Sequence, residues 1–217
     1  ATTKLSTEIS KLVKKGDKTV LIAKINAAQL LVPSEYMTFT GMTTAINEAV
    51  VVKNNSLATQ PEVNAAVSKL DSETAKLVKL TAAEQQIKAL ITSGYIPVAT
   101  ADDLNQLRGT TPRVYAAGTK WATAATTVGG LNKNYIQVAN IDLASIANFE
   151  PIGNNSIPFR GTFNGNGFTI SNLRINNGTE DYIGLFGGTS YATLTNIGLV
   201  NINVKGQFYV GGLVGSN

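Results

Sequence analysis

The sequence predicts an α+β protein in two domains, a helical bundle over residues 1–93 and a parallel β-helix, or β-solenoid, over 94–217. Three observations predict it. Eighteen of the twenty glycines fall at or after Gly94, and asparagine follows the same bias. Before that point aliphatic residues recur at helical spacing, whereas after it short apolar runs alternate with turn residues. The second half also repeats itself at intervals of twenty to thirty-odd residues, as stacked solenoid units do.

In the first half, Leu5, Ile9, Leu12 and Val13 lie on one helical stripe that Gly16 stops. Leu21, Ile25, Ala28 and Val32 mark a second helix, with Asp17 as its N-cap and Pro33 enforcing its end. Phe39, Met42, Ile46, Ala49 and Val50 mark a third, placed for capping by Thr38. Thr59-Gln60-Pro61-Glu62 is a capping box, in which threonine accepts a backbone N–H while the glutamate reaches back. The helix it opens carries Val63, Ala66, Val67, Leu70, Leu77 and Val78. Thr81-Ala82-Ala83-Glu84 repeats that grammar before Ile87, Leu90 and Ile91, and this last helix ends near Ser93-Gly94. Each stripe is one-sided, so the helices bury against one another.

The stretch from Leu21 to Leu77 resembles the FIVAR repeat, a three-helix module of large Gram-positive surface proteins. The resemblance rests on Ser34-Glu35-Tyr36, on Thr38-Phe39, on Met42 with Ala45-Ile46 and Ala49, and on Ala58-Thr59-Gln60-Pro61-Glu62-Val63-Asn64-Ala65-Ala66. Phe39 stands where many members have tryptophan, and Gly41 costs its helix about 1 kcal/mol against alanine.

In the second half, Tyr95-Ile96-Pro97-Val98 reads as a short strand, and Thr100-Ala101-Asp102-Asp103 caps a helix containing Leu104 and Leu107. Adjacent helical residues point about 100° apart, so Asp102 and Asp103 read as first-turn capping residues rather than an acid–base pair. This strand and helix form an N-terminal cap. Residues 109–132 are irregular, anchored by Trp121. Beyond them, Val138 to Leu143, Ile170 to Ile175 and Leu194 to Leu199 share aliphatic-x-Asn-aliphatic-x-aliphatic. Asn140, Asn172 and Asn196 are therefore expected to form one structural ladder on successive turns. Gly184-Leu185-Phe186-Gly187 returns as Gly212-Leu213-Val214-Gly215.

Residues 135–217 resemble the β-helical region of bacterial adhesins and surface peptidases that carry the GLUG motif. Phe159-Arg160-Gly161-Thr162-Phe163-Asn164-Gly165-Asn166-Gly167-Phe168-Thr169-Ile170 looks like the segment preceding the motif, and Thr193 to Gly215 like the motif itself. The resemblance implies right-handed winding. The chain stops in mid-repeat, so the β-helix is expected to be truncated at its C-terminal end and to self-associate through that open face.

Composition excludes several chemistries. Cysteine and histidine are absent, which removes disulfides, thiolate metal sites, the Ser-His-Asp triad, the Cys-His dyad and zinc peptidase motifs. Among carboxylates, Asp142, Glu150, Glu180 and Asp181 do not occupy equivalent positions on adjacent turns, so no glycosidase pair is expected. Asn164-Gly165-Asn166-Gly167 has the glycines of a calcium loop without its charges and reads as a tight turn. The eighteen basic residues exceed the fourteen acidic ones, but only Lys14-Lys15, near Lys11 and Lys18, cluster, as on a solvated helix end. No nucleic-acid partner, cofactor, metal or membrane insertion is expected.

The functional expectation is a non-catalytic, extracellular segment of a cell-surface or cell-wall protein, serving as a spacer and ligand-presenting stalk. The partner is an unidentified host or cell-wall ligand, glycan or protein. A non-catalytic portion of a larger secreted peptidase or glycan-degrading enzyme, and a carbohydrate-binding module, are the alternatives. Tyr182, Tyr191, Phe208 and Tyr209 are the candidate ligand-facing aromatics.

Overall fold

The computed structural model describes residues 15–217. The helix expected on Leu5, Ile9, Leu12 and Val13, and Lys11 and Lys14 of the basic cluster, lie outside the described residues. The described chain is a mixed α+β structure of five α-helices and parallel-strand sheets. It divides into two compact units, Ala1–Gln86 and Ile87–Asn217.

In the first unit, α1 (Thr19–Gln29), α2 (Thr40–Asn54) and α3 (Gln60–Ala75) pack pairwise. Their shared core holds Leu21, Ile25, Met42, Ala45, Ala49, Val63 and Leu70. Each fully buried large aliphatic contributes roughly 1.5–3 kcal/mol. The capping box at α3 forms: Glu62 donates its N–H to Thr59 Oγ1, and Thr59 donates its own N–H to Glu62 Oε2 at 2.6 Å. Asp17 accepts the Thr19 N–H at 2.9 Å, although the residue at the cap position itself is Lys18. Thr38 does not cap α2; Phe39 holds that position without a side-chain cap bond. Val32 and Val78 leave the predicted stripes for solvent, because each lies beyond the end of its helix. At Gly41 an added Cβ would meet only the mobile end of the Glu73 side chain.

The next helix, α4 (Ala82–Thr92), carries the second capping pair, Glu84 N–H to Thr81 Oγ1 at 3.3 Å and Thr81 N–H to Glu84 Oε2 at 2.8 Å. The division between the two compact units falls between Gln86 and Ile87, within α4. At the end of α4, Gly94 and Tyr95 donate their N–H groups back to Ile91 and Leu90.

The second unit starts with β1 (Ile96–Val98) and α5 (Ala101–Asn105), opened by a Thr100/Asp103 capping box. Asp103 is buried; its Oδ2 accepts from Ala99, Thr100 and Ala116 at 3.0 to 3.1 Å. The Arg113 guanidinium pairs with Asp102 at 2.6 Å and Asp103 at 3.4 Å, so both carboxylates serve the fold. The stretch read as irregular contains a short antiparallel pair, β2 (Pro112–Arg113) with β3 (Thr127–Val128). Its main anchor is Tyr115, fully buried with its hydroxyl on Gln106 O at 3.0 Å, in addition to Trp121.

From β4 onward every strand pair is parallel. The strands are β4 (Tyr135–Gln137), β5 (Ile141–Asp142), β6 (Thr162–Asn164), β7 (Thr169–Ser171), β8 (Arg174–Asn176) and β9 (Phe186–Gly188). They continue as β10 (Thr193–Thr195), β11 (Gly198–Val200), β12 (Asn203–Lys205) and β13 (Val214–Ser216). Their ladders run β1-β4-β6-β10, β11-β7-β5, β12-β8 and β13-β9. Over residues 135–159, 161–190 and 192–216 the chain thus contributes three strands to each of the first two ladders and two strands to each of the others. Hydrogen-bonded residues on neighbouring passes are 25 to 35 positions apart. One core runs through the passes, including Ile141, Phe159, Phe163, Ile170, Ile175 and Phe186, and Leu104 and Leu107 of the opening segment join it.

The register corrects the predicted asparagine ladder. Ile141 pairs with Ile170, and Ile170 with Leu199, so Asn172 aligns with Asn201 and neither with Asn140 nor with Asn196. Inward aliphatics and backbone pairing set the register, and an asparagine takes whichever corner follows the strand. Asn140 is exposed and accepts the Thr169 N–H at 3.0 Å; Asn196 is exposed and donates to Asn164 at 3.3 Å. Asn172 donates to Asp142 at 2.7 Å and accepts from Asn201. The Asn164–Gly167 turn is as expected, with left-handed φ of 53° at Asn166 and 77° at Gly167 joining β6 to β7.

Candidate functional site

The candidate site lies at the corner between β8 and β9, on the second pass. Tyr182 there has φ 63°, and Tyr209, at the matching corner of the third pass, has φ 54°. The left-handed region disfavours bulky residues. Backbone pairing holds the corner: Tyr182 N–H donates to Phe208 O, and Ile183 N–H to Tyr209 O, both at 3.0 Å. The two rings stack with centroids 4.8 Å apart and planes 6° from parallel. A sequence signal for this existed, since Tyr182-Ile183-Gly184 returns as Tyr209-Val210-Gly211.

The four candidate aromatics therefore divide. Tyr182 and Tyr209 form the stack, and Phe208 is joined to it through its backbone carbonyl, with its own ring 59% exposed. Tyr191 sits elsewhere, in the turn between β9 and β10, left-handed at φ 53° and 97% exposed.

Beside Tyr182 a cleft of about 350 Å³ opens, walled by Arg108, Glu150, Asn154, Ile157, Glu180 and Asp181. Sequence spacing had separated Glu150 from Glu180 and Asp181; the structure brings all three to one cleft. The cause is a corner of unequal length on the two passes. Asn148 bonds Asn177 and Ile152 pairs with Phe186, so four residue steps on the first pass stand against nine on the second, and the extra chain on the second pass carries Glu180 and Asp181 to the cleft wall that Glu150 shares. Asp142, the fourth carboxylate weighed, lies on another face with Asn172.

Each wall residue is tied to the fold. Arg108 donates to Glu150 O and Pro151 O, bonds Asn105 Oδ1 at 2.6 Å, and pairs with the Glu150 carboxylate at 3.2 Å. Burial pulls its pKa below the usual guanidinium value, and Glu150 opposes that. Glu180 accepts from Asn177 at 3.0 Å, and Asp181 Oδ1 from Phe208 N–H at 3.0 Å. Asn154 Oδ1 accepts from the Ser156 and Ile157 N–H groups at 2.9 and 2.8 Å, leaving its amide N–H groups as donors. Among the described residues no cluster of three or more carboxylates has metal-binding geometry.

No family model matches the chain. No solved structure matches it either. A stretch of it is 41% identical over 99 residues to halomucin of Haloquadratum walsbyi (strain DSM 16790 / HBSQ001). That alignment takes in 41% of this chain and 1% of halomucin, so the chain spans only a small part of the relative it matches. The likenesses to FIVAR and GLUG modules rest on the residues quoted for them. Among the described residues, no helix is long and apolar enough to cross a membrane.

Proposed function

We propose that residues 94–217 wind as a right-handed parallel β-helix and that the chain is a non-catalytic segment of an extracellular, cell-surface protein. In this reading the FIVAR-like helical unit is a spacer and the GLUG-type β-helix a stiff stalk that presents a ligand surface. The observation that carries it is the set of parallel ladders crossed repeatedly at intervals of 25 to 35 residues. Right-handed crossovers dominate parallel connections, which supports the hand. Identity to a stretch of halomucin supports the extracellular placement. A non-catalytic role is supported by the sequence itself, which has neither histidine nor cysteine to serve as general base or nucleophile.

Val200, Ile202, Phe208 and Val210 are exposed on the third pass, an apolar surface that a second copy would cover. Sedimentation of the purified chain is expected to show concentration-dependent dimers. The surface assignment is tested by antibody labelling of intact cells of the source organism. Labelling without permeabilisation is the expected result; labelling that needs permeabilisation overturns it.

A further inference from the structure

The cleft beside Tyr182 combines features that neither a spacer nor a packed corner requires. It is concave, and its volume of about 350 Å³ lies at the small end of ligand pockets, which run on the order of 300–1,000 Å³. Tyr209 covers Tyr182 from the third pass, whereas the first pass supplies no ring against it; among the described residues Tyr182 has no other aromatic contact. What the first pass supplies is the cleft wall. The corner keeps a tyrosine at a left-handed backbone position that asparagine or glycine fills with less strain.

The polar wall has a specific character. Glu180 and Asp181 each use one carboxylate oxygen within the fold and keep the other as an acceptor. Asn154 keeps its donors. Arg108 is committed to Asn105, Glu150 and two carbonyls, so it offers no free cation to an anionic ligand. A wall with acceptors and donors together matches hydroxyl groups, which are both. A bare cation uses only the acceptors, and a carboxylate is repelled by them. We infer that this cleft is a subsite for one neutral pyranose unit of a glycan, packed against Tyr182 and hydrogen-bonded to Glu180, Asp181 and Asn154. The inference does not depend on the surface-protein reading, since it rests on the cleft alone.

The test is a ¹H–¹⁵N NMR titration of the full chain with the methyl glycosides of glucose, galactose, mannose and N-acetylglucosamine, each to millimolar excess. At least one should shift the amides of Asn154, Asp181 and Tyr182 saturably, and glucuronate should bind at least about tenfold more weakly. Tyr182→Asn removes the ring while suiting the left-handed backbone, so it should keep the spectrum of the fold and lose the shifts. Glu180→Gln should weaken binding by about tenfold. The inference is overturned if no neutral glycoside shifts these amides, if methylammonium shifts them equally well, or if folded Tyr182→Asn binds like the parent chain. None of these outcomes bears on labelling of intact cells, so the two readings fail separately.

Discussion

Phe186 and Val214 occupy the same ladder position on successive passes, as do Ile170 and Leu199, and Ile175 and Val204. On the second pass Phe186, Ile170 and Ile175 are sealed, none more than 1% exposed. On the third pass Leu199, Val204 and Val214 are only half-buried, although they pair in identical register. The side chains point the same way; what differs is the neighbour beyond. An inward residue in a stacked structure is buried by the passes on both sides, so one sequence pattern yields unequal stability along the stack.

The largest expected effect tests that directly. Phe186→Ala should destabilise the chain by about 3–5 kcal/mol, and Val214→Ala by only about 1 kcal/mol, in denaturant unfolding. Equal losses would break the comparison. Native-state hydrogen exchange sharpens it: the Gly211 N–H, bonded to Ile183 O, should exchange at least about tenfold faster than the Gly187 N–H, bonded to Ile152 O. The reverse order would mean that the third pass is held from a side not described here.

A smaller contrast separates the asparagines. Asn172→Gly preserves the left-handed backbone and removes two side-chain bonds, to Asp142 and from Asn201, at a cost of about 1–2 kcal/mol. Asn196→Gly removes one long, exposed bond and should cost only a few tenths of a kcal/mol. Matched melting temperatures for the two variants would count against the register read here.

The smallest effect is electrostatic. The Asn172 amide and then the Ala144 N–H hold the Asp142 carboxyl below its ordinary value of 3.8. A lowered folded pKa stabilises the structure above the ordinary carboxylate range, and that contribution is lost as pH falls through the folded midpoint. Carboxyl NMR should place the Asp142 midpoint below 3.8 and show it rising in Asn172→Gly. A midpoint that ignores the substitution would remove Asn172 as the cause.

Much of this was legible in the residues. The Thr59/Glu62 and Thr100/Asp103 capping boxes are local, so spacing alone announces them. The return of Gly184-Leu185-Phe186-Gly187 at Gly212-Leu213-Val214-Gly215 matches the observed pairing of Phe186 with Val214. The asparagine register was not legible, because aliphatic-x-Asn occurs at several corners and only three-dimensional pairing says which of them stack. The cleft escaped for a related reason. It is made where the second pass carries extra residues between Asn177 and Phe186, which breaks the regular interval between carboxylates on different passes.

The four-strand ladder has a mechanical consequence. β1 and β10 lie at its two edges, and each pass is held to the next by hydrogen bonds that run from edge to edge. Tension drawn from one edge to the other loads those bonds along their length, in sequence, as in a zipper, rather than shearing many at once. The half-buried third pass yields first. A pass of about 29 residues then unspools into ~100 Å of extended chain before the next is loaded. On the proposed β-helical winding, the stack is expected to lengthen under force in discrete steps.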